Sequence, residues 1–167
     1  MVELYRGERA LDHHDPSAIV HIQEFVSRNP GNAVGHGDLG TAYEQLSRYQ
    51  DAGIEYRRAL EIEPDNSAGK YDLARMYTLN RPQDAIPLYR ESLPHLPQSS
   101  DKYFNFATAL RMTGNLQEAE LMASKAVTLD PKSARNHQLL AIVLFQLGKV
   151  DQAVSETKLA DQLRSPH

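Results

Sequence analysis

The sequence predicts an all-α chain of stacked helical hairpins, and three observations carry that reading. Prolines stand at Pro30, Pro64, Pro97 and Pro131, separated by 34, 33 and 34 residues. Small residues recur in the same register, as Gly40, Ala74, Ala107 and Ala141 in one series and Ala52, Ala85, Ala119 and Ala153 in another. Around them, large apolar residues repeat at three- and four-residue intervals, the period of a single helical face.

The unit is clearest between Asp38 and Asn66. Leu39, Gly40 and Tyr43 share one helical face, and Ala52, Tyr56 and Ala59 share another. Leu46 to Gln50 forms a short break between them. Gly40 and Ala52 are small where two helices must approach, while Leu39, Tyr43 and Tyr56 fill the space beside them. Pro64 has no backbone N–H and ends the second helix near Glu63. One hairpin cannot bury its apolar faces alone, and the chain supplies copies. The large residue before the first small one recurs as Leu39, Leu73, Phe106 and Leu140, and the residue three after it as Tyr43, Tyr77, Leu110 and Leu144. The later small position of the second helix recurs as Ala59, Ser92, Ala126 and Ala160.

A period of about 34 residues built from such units resembles the tetratricopeptide repeat, and the agreement runs from Ala33 to the C-terminus. The resemblance implies a right-handed superhelical solenoid whose first helices line a concave, ligand-binding face. One departure is the aromatic usually found three residues before the large position. Here those places hold His36, Lys70, Tyr103 and His137, which is expected to weaken packing between neighbours.

In chain order, residues 1–32 read as an N-terminal segment ending in a capping helix. Pro16 suits a first helical turn. Ala18 and Ile22 match the small and large positions, and Phe25 stands where a small residue is expected. Residues 33–66 form the first repeat, 67–99 the second, 100–133 the third and 134–167 the fourth, within one domain. In the second repeat Pro82 suits a helix start, while Pro87 falls inside the helix, removes its hydrogen bond to Gln83 and crowds that carbonyl. With Pro94 following, this predicts a kinked or shortened helix. Gly114 and Gly148 stand at the inter-helix turns of the third and fourth repeats, where a positive φ commonly ends a helix. The last helix is expected from Val150 to about Leu163.

Composition excludes several function classes. Net charge is −4 and no basic run is present, which argues against nucleic acid as the main partner. No apolar run approaches the roughly 20 residues of a membrane helix, so membrane insertion is not expected. Cysteine is absent, which removes disulfides, thiolate ligands and a cysteine nucleophile. The polar N-terminus lacks a signal-peptide core, so a cytoplasmic protein is expected, provided the chain is not a fragment of a longer one. His13 and His14 are adjacent, point apart on a helix and have no third ligand nearby, so they read as a solvated turn and no metal is expected. No phosphate loop, G-x-S-x-G or H-E-x-x-H motif is present. No catalytic residue and no cofactor is assigned. His36 and His137 occupy equivalent repeat positions, which points to a packing role.

What remains is binding. By the resemblance, the groove is lined by first-helix residues not used in packing: Gly37, Asp38, Thr41 and Glu44 in the first repeat, then Tyr71, Asp72, Arg75 and Thr78. The third repeat adds Asp101, Phe104, Asn105, Thr108 and Arg111, and the fourth Arg135, Gln138, Ile142 and Phe145. Of these, Tyr71, Asp72, Arg75, Phe104, Asn105, Thr108, Arg111, Arg135, Gln138 and Ile142 are the candidate site. Tyr71 and Phe104 offer equivalent aromatic surfaces. Charge passes from Asp38, Glu44 and Asp72 to Arg75, Arg111 and Arg135, which suits an acidic segment with an aromatic or apolar residue. Some members of the family clamp a chaperone's terminal carboxylate. Their positions fall here on Tyr71, Arg75, Asn105, Arg135 and Leu139, of which only Asn105 is identical, so that ligand is not carried over. The expected function is a protein-interaction adaptor that binds a peptide or protein segment. The alternative is a scaffold that forms homo-oligomers through its end faces.

Overall fold

In the computed structural model, residues 18–164 are described, and every regular element among them is helical. His13, His14, Pro16 and His167 lie outside these residues. The chain divides into two compact units, residues 1–76 and 77–167.

The first unit contains α1 (Ala18–Arg28), α2 (Ala33–Gln45) and α3 (Tyr49–Ile62), and α4 (Ser67–Tyr77) up to its last residue. Helix α2 packs against both α1 and α3. Gly40 sits against the buried ring of Tyr56, so the small-beside-large pairing expected from the repeat is realised in side-chain contact. Phe25, the misfit in the sequence register, is buried because the facing helix gives way. A Cβ on Gly35 would stand 2.9 Å from its ring. A large side chain on α1 thus faces the missing one on α2, the kind of exchange a close-packed core tolerates.

The second unit contains α5 (Pro82–Ser92), a 3₁₀ turn (Leu93–His95), α6 (Ser100–Met112), α7 (Leu116–Leu129), α8 (Ala134–Gln146) and α9 (Val150–Arg164). Helix α6 packs on α5, α7 and α8, and α8 packs on α7 and α9. As expected, α5 is short, with 11 residues against 14 in α3 and α7. Pro82 starts it, Pro87 lies exposed inside it, and Pro94 belongs to the 3₁₀ turn that follows. Tyr89 is buried there, its ring 5.3 Å from that of Phe106 and its hydroxyl 2.7 Å from that of Thr78.

The recurring small positions of the second helices, from Ala52 and Ala59 to Ala153 and Ala160, are all buried. The first helices also begin alike. Asn32, Asn66, Ser99 and Ser133 each accept a hydrogen bond from the backbone N–H three residues on, which satisfies a donor that the helix leaves unpaired. The inter-helix turns hold left-handed residues at Gly114 (φ 79°) and Gly148 (φ 76°), and Ser47 takes the same conformation at φ 58°.

Candidate functional site

In the first unit, the arginine of the candidate groove is already committed. Arg75 on α4 donates through both terminal nitrogens to the two carboxylate oxygens of Glu44 on α2, and a further nitrogen–oxygen distance of 3.6 Å brings in Asp72. The Tyr56 hydroxyl also donates to Glu44, at 3.1 Å. Burial alone would push the Glu44 carboxyl up, but the Arg75 bonds and charge and the Tyr56 hydroxyl outweigh it and hold Glu44 below the usual range. Burial raises the Tyr56 phenol. The carboxylate bonds raise the Arg75 guanidinium further. The expected gradient from acidic to basic residues is therefore corrected here. Arg75 and Glu44 neutralise each other and tie α4 to α2 through a bidentate fork, with Asp72 at its edge leaving the cluster net acidic. Tyr71 is half-buried on the same helix.

The second unit is different. Phe104, Thr108 and Arg111 share a face of α6 at i, i+4 and i+7. The Arg135 guanidinium, from α8, lies 3.9 Å over the Phe104 ring and bonds the exposed Asp101 at 3.0 Å. The Thr108 hydroxyl donates to the Phe104 carbonyl and so stays on its own helix. Asn105 is half-buried beside it. Arg111 is half-buried, and its Nε is shielded from solvent with no hydrogen-bond partner among the described residues. A buried donor without an acceptor is costly, and the Arg111 Nε carries that cost on this face. Gln138 and Ile142 face another feature. With Phe145, Val154 and Arg164 they line an open cavity of about 300 Å³ between α8 and α9, where Gln138 accepts a hydrogen bond from Arg164.

The histidines of the repeat register also find partners that composition could not foretell. His36 Nδ1 lies 2.6 Å from Glu55 Oε2 and its Nε2 lies 3.1 Å from the Pro30 carbonyl. His137 makes the same pair of contacts with Glu156 at 2.6 Å and Pro131 at 3.0 Å. Both rings are buried. At these two positions each histidine joins both helices of its hairpin and the preceding loop.

Hairpins that bury one face in their neighbours and present polar and aromatic groups on another define a helical-repeat scaffold. No group of three or more His, Cys, Asp or Glu residues suited to a metal occurs among the described residues. No described helix is long and apolar enough to cross a membrane. Residues 7–67 and 38–101 match the tetratricopeptide repeat family, and residues 78–158 match the family described as anaphase-promoting complex, cyclosome, subunit 3. The chain belongs to the tetratricopeptide repeat family, whose members are in general non-catalytic protein-interaction modules.

Among relatives, the TPR repeat-containing thioredoxin TTL4 of Arabidopsis thaliana is 30% identical over 119 residues, 71% of this chain and 16% of the relative. The chain spans only 10–16% of the length of the curated relatives it matches. MamA 41-end from Desulfovibrio magneticus RS-1 is similar in structure, with a TM-score of 0.86 and 19% identity, covering 97% of this chain and 93% of that one. YrrB, described as a TPR protein with an unusual peptide-binding site, has a TM-score of 0.87 at 17% identity and covers 99% of this chain and 86% of its own. At these identities the likeness establishes the fold, an all-α tetratricopeptide solenoid.

Proposed function

We propose that the chain is an adaptor that binds an extended peptide or protein segment on the α6–α8 face of its second unit. The observation that carries this reading is Arg111, whose shielded Nε lacks an acceptor one turn from Thr108 and two turns from the Phe104–Arg135 stack. Turned outward toward a ligand carboxylate, the Arg111 guanidinium would gain the acceptor its shielded Nε lacks, and an aromatic or aliphatic residue would cover the rest of the platform. Arg135 suits the same role, because its planar fork stacks on a ring and still pairs a carboxylate. Its bond to Asp101 is solvent-exposed and weak enough to exchange. Asn105, Gln138 and Ile142 flank this face, while Tyr71, with Asp72 beside it, is proposed as a separate aromatic contact of the first unit.

Affinity selection from a random peptide library, followed by titration of acidic, neutral and basic versions of a selected peptide, tests the proposal. The acidic version should bind best, weaken with salt without vanishing, and lose binding on Arg111→Glu or Phe104→Ala. Tyr71→Ala should weaken it less. Best binding by the basic version, or indifference to salt, would overturn the reading.

The second reading is self-assembly. It is favoured by Ile142, Phe145 and Val154, which stand 41%, 67% and 47% exposed around the α8–α9 cavity. Light scattering separates the two. A scaffold is oligomeric, unaffected by Arg111→Glu and dispersed by Phe145→Asp, whereas an adaptor is monomeric.

A further inference from the structure

Two histidines placed 101 residues apart hold the same three-point arrangement. Pro30, His36 and Glu55 are spaced by 6 and 19 residues, and so are Pro131, His137 and Glu156. In each, one ring nitrogen faces a carboxylate of the hairpin's second helix, and the other faces the carbonyl of the proline before its first helix. A proline carbonyl can only accept a hydrogen bond, and an ionised carboxylate can only accept. A neutral imidazole donates from one nitrogen only. Either tautomer therefore leaves a lone pair pointing at an oxygen about 3 Å away or closer, and the arrangement is complete only when both nitrogens carry protons.

The chain carries its own comparison. At the histidine positions the middle repeats hold Lys70 and Tyr103, and at the glutamate positions they hold Leu88 and Met122. The acid is present where the histidine is present and is replaced by an apolar residue where it is not. A solvated glutamate would follow no such rule, so the pairs act as units.

We propose that His137–Glu156 is a proton-dependent latch that locks the α8–α9 hairpin to the loop that precedes it, while His36–Glu55 repeats its geometry in α2–α3. While the ring is doubly protonated, first helix, second helix and loop are held at one point. When the proton leaves, one of the two bonds is lost and the hairpin is freed to shift against that loop.

The electrostatics at His137 agree with this geometry. Burial disfavours its charge, but the Glu156 bond, the Pro131 carbonyl and the charges of Glu156 on α9 and Asp130 at the end of α7 outweigh burial and raise its pKa above the usual 6.5. A raised value in the folded state means that the stabilisation is fully present below the unfolded-chain value and is lost as pH rises through the folded one. At His36 the carboxyl of Glu55 on α3 faces the ring, and Asn29 stands where Asp130 stands beside His137.

The test uses the full chain and two readouts. Nitrogen-edited NMR of the His137 ring at pH 7 should find both nitrogens protonated. Hydrogen-exchange protection factors of the α8–α9 amides should fall between pH 6 and pH 9, by about tenfold for each pH unit that the His137 midpoint lies above an unfolded histidine. Glu156→Gln is the second variant, because a glutamine amide can donate to a neutral ring and keep both contacts. It should stay folded and lose the pH dependence, while His137→Gln should open α8–α9 at both pH values. A neutral single-tautomer ring at pH 7, equal protection at pH 6 and pH 9, or an unchanged pH dependence in Glu156→Gln would each overturn the proposal.

Discussion

Replacing Gly40 with alanine should weaken this protein, although alanine is the better helix former. Gly40 lies inside α2, and a Cβ there would meet Tyr56 Cε1 at 2.6 Å and Cδ1 at 2.7 Å. The ring has little room to retreat. Tyr56 is 1% exposed, and its hydroxyl is tied to Glu44 at 3.1 Å and lies 3.3 Å from that of Thr41. Overpacking of this kind costs about 1–3 kcal/mol, against a gain of about 1 kcal/mol from removing a helical glycine. The net effect ranges from near zero to about 2 kcal/mol of destabilisation. Gly37, in the same helix, provides the reference because a Cβ there would meet nothing within 4 Å. Gly37→Ala should therefore stabilise by about 1 kcal/mol. Urea unfolding of both variants, compared at equal m-value, isolates the steric cost as their difference. If Gly40→Ala stabilises as much as Gly37→Ala, the Tyr56 contact does not constrain the α2–α3 approach and the reasoning fails.

Other expectations are as direct. Ser47 carries a positive φ where the equivalent turns use Gly114 and Gly148, so Ser47→Gly should raise stability by about 1 kcal/mol in thermal or urea unfolding. Phe25→Ala should cost about 3–5 kcal/mol, and Gly35→Ala should be tolerated better in that background than alone, since the ring it would strike is gone. The Glu44 carboxyl is held below its usual value, so its contribution is present above the unfolded-chain pKa and is lost as pH falls through the depressed one. Glu44→Gln should flatten that acid limb of the stability profile. Arg75→Ala should cost about 1–2 kcal/mol at neutral pH, less than for a fully buried pair, because both side chains retain some exposure to water.

The repeat register, the helical hairpins and the short α5 are legible in the residues alone, because they rest on local rules. A proline ends a helix wherever it falls, and a small residue every 33 or 34 positions can only mean a repeated close approach. The helix starts are equally local, in Asn32, Asn66, Ser99 and Ser133, a cap series at the same spacing. The candidate groove was legible only as a set of positions. Whether Arg75 faces a ligand or Glu44 depends on a partner 31 residues away, and whether Arg111 has an acceptor depends on what α6 and α8 bring near it. Phe25 looked like an error until Gly35 supplied the space across the helix pair. His36 and His137 looked like lost aromatics until Glu55, Glu156 and two proline carbonyls converged on them. Periodicity along one chain determines which face of each helix is buried. Which charges cancel, which donor stays unsatisfied and which ring keeps its proton depend on pairs distant in sequence, and only the tertiary structure brings those pairs within a few ångströms.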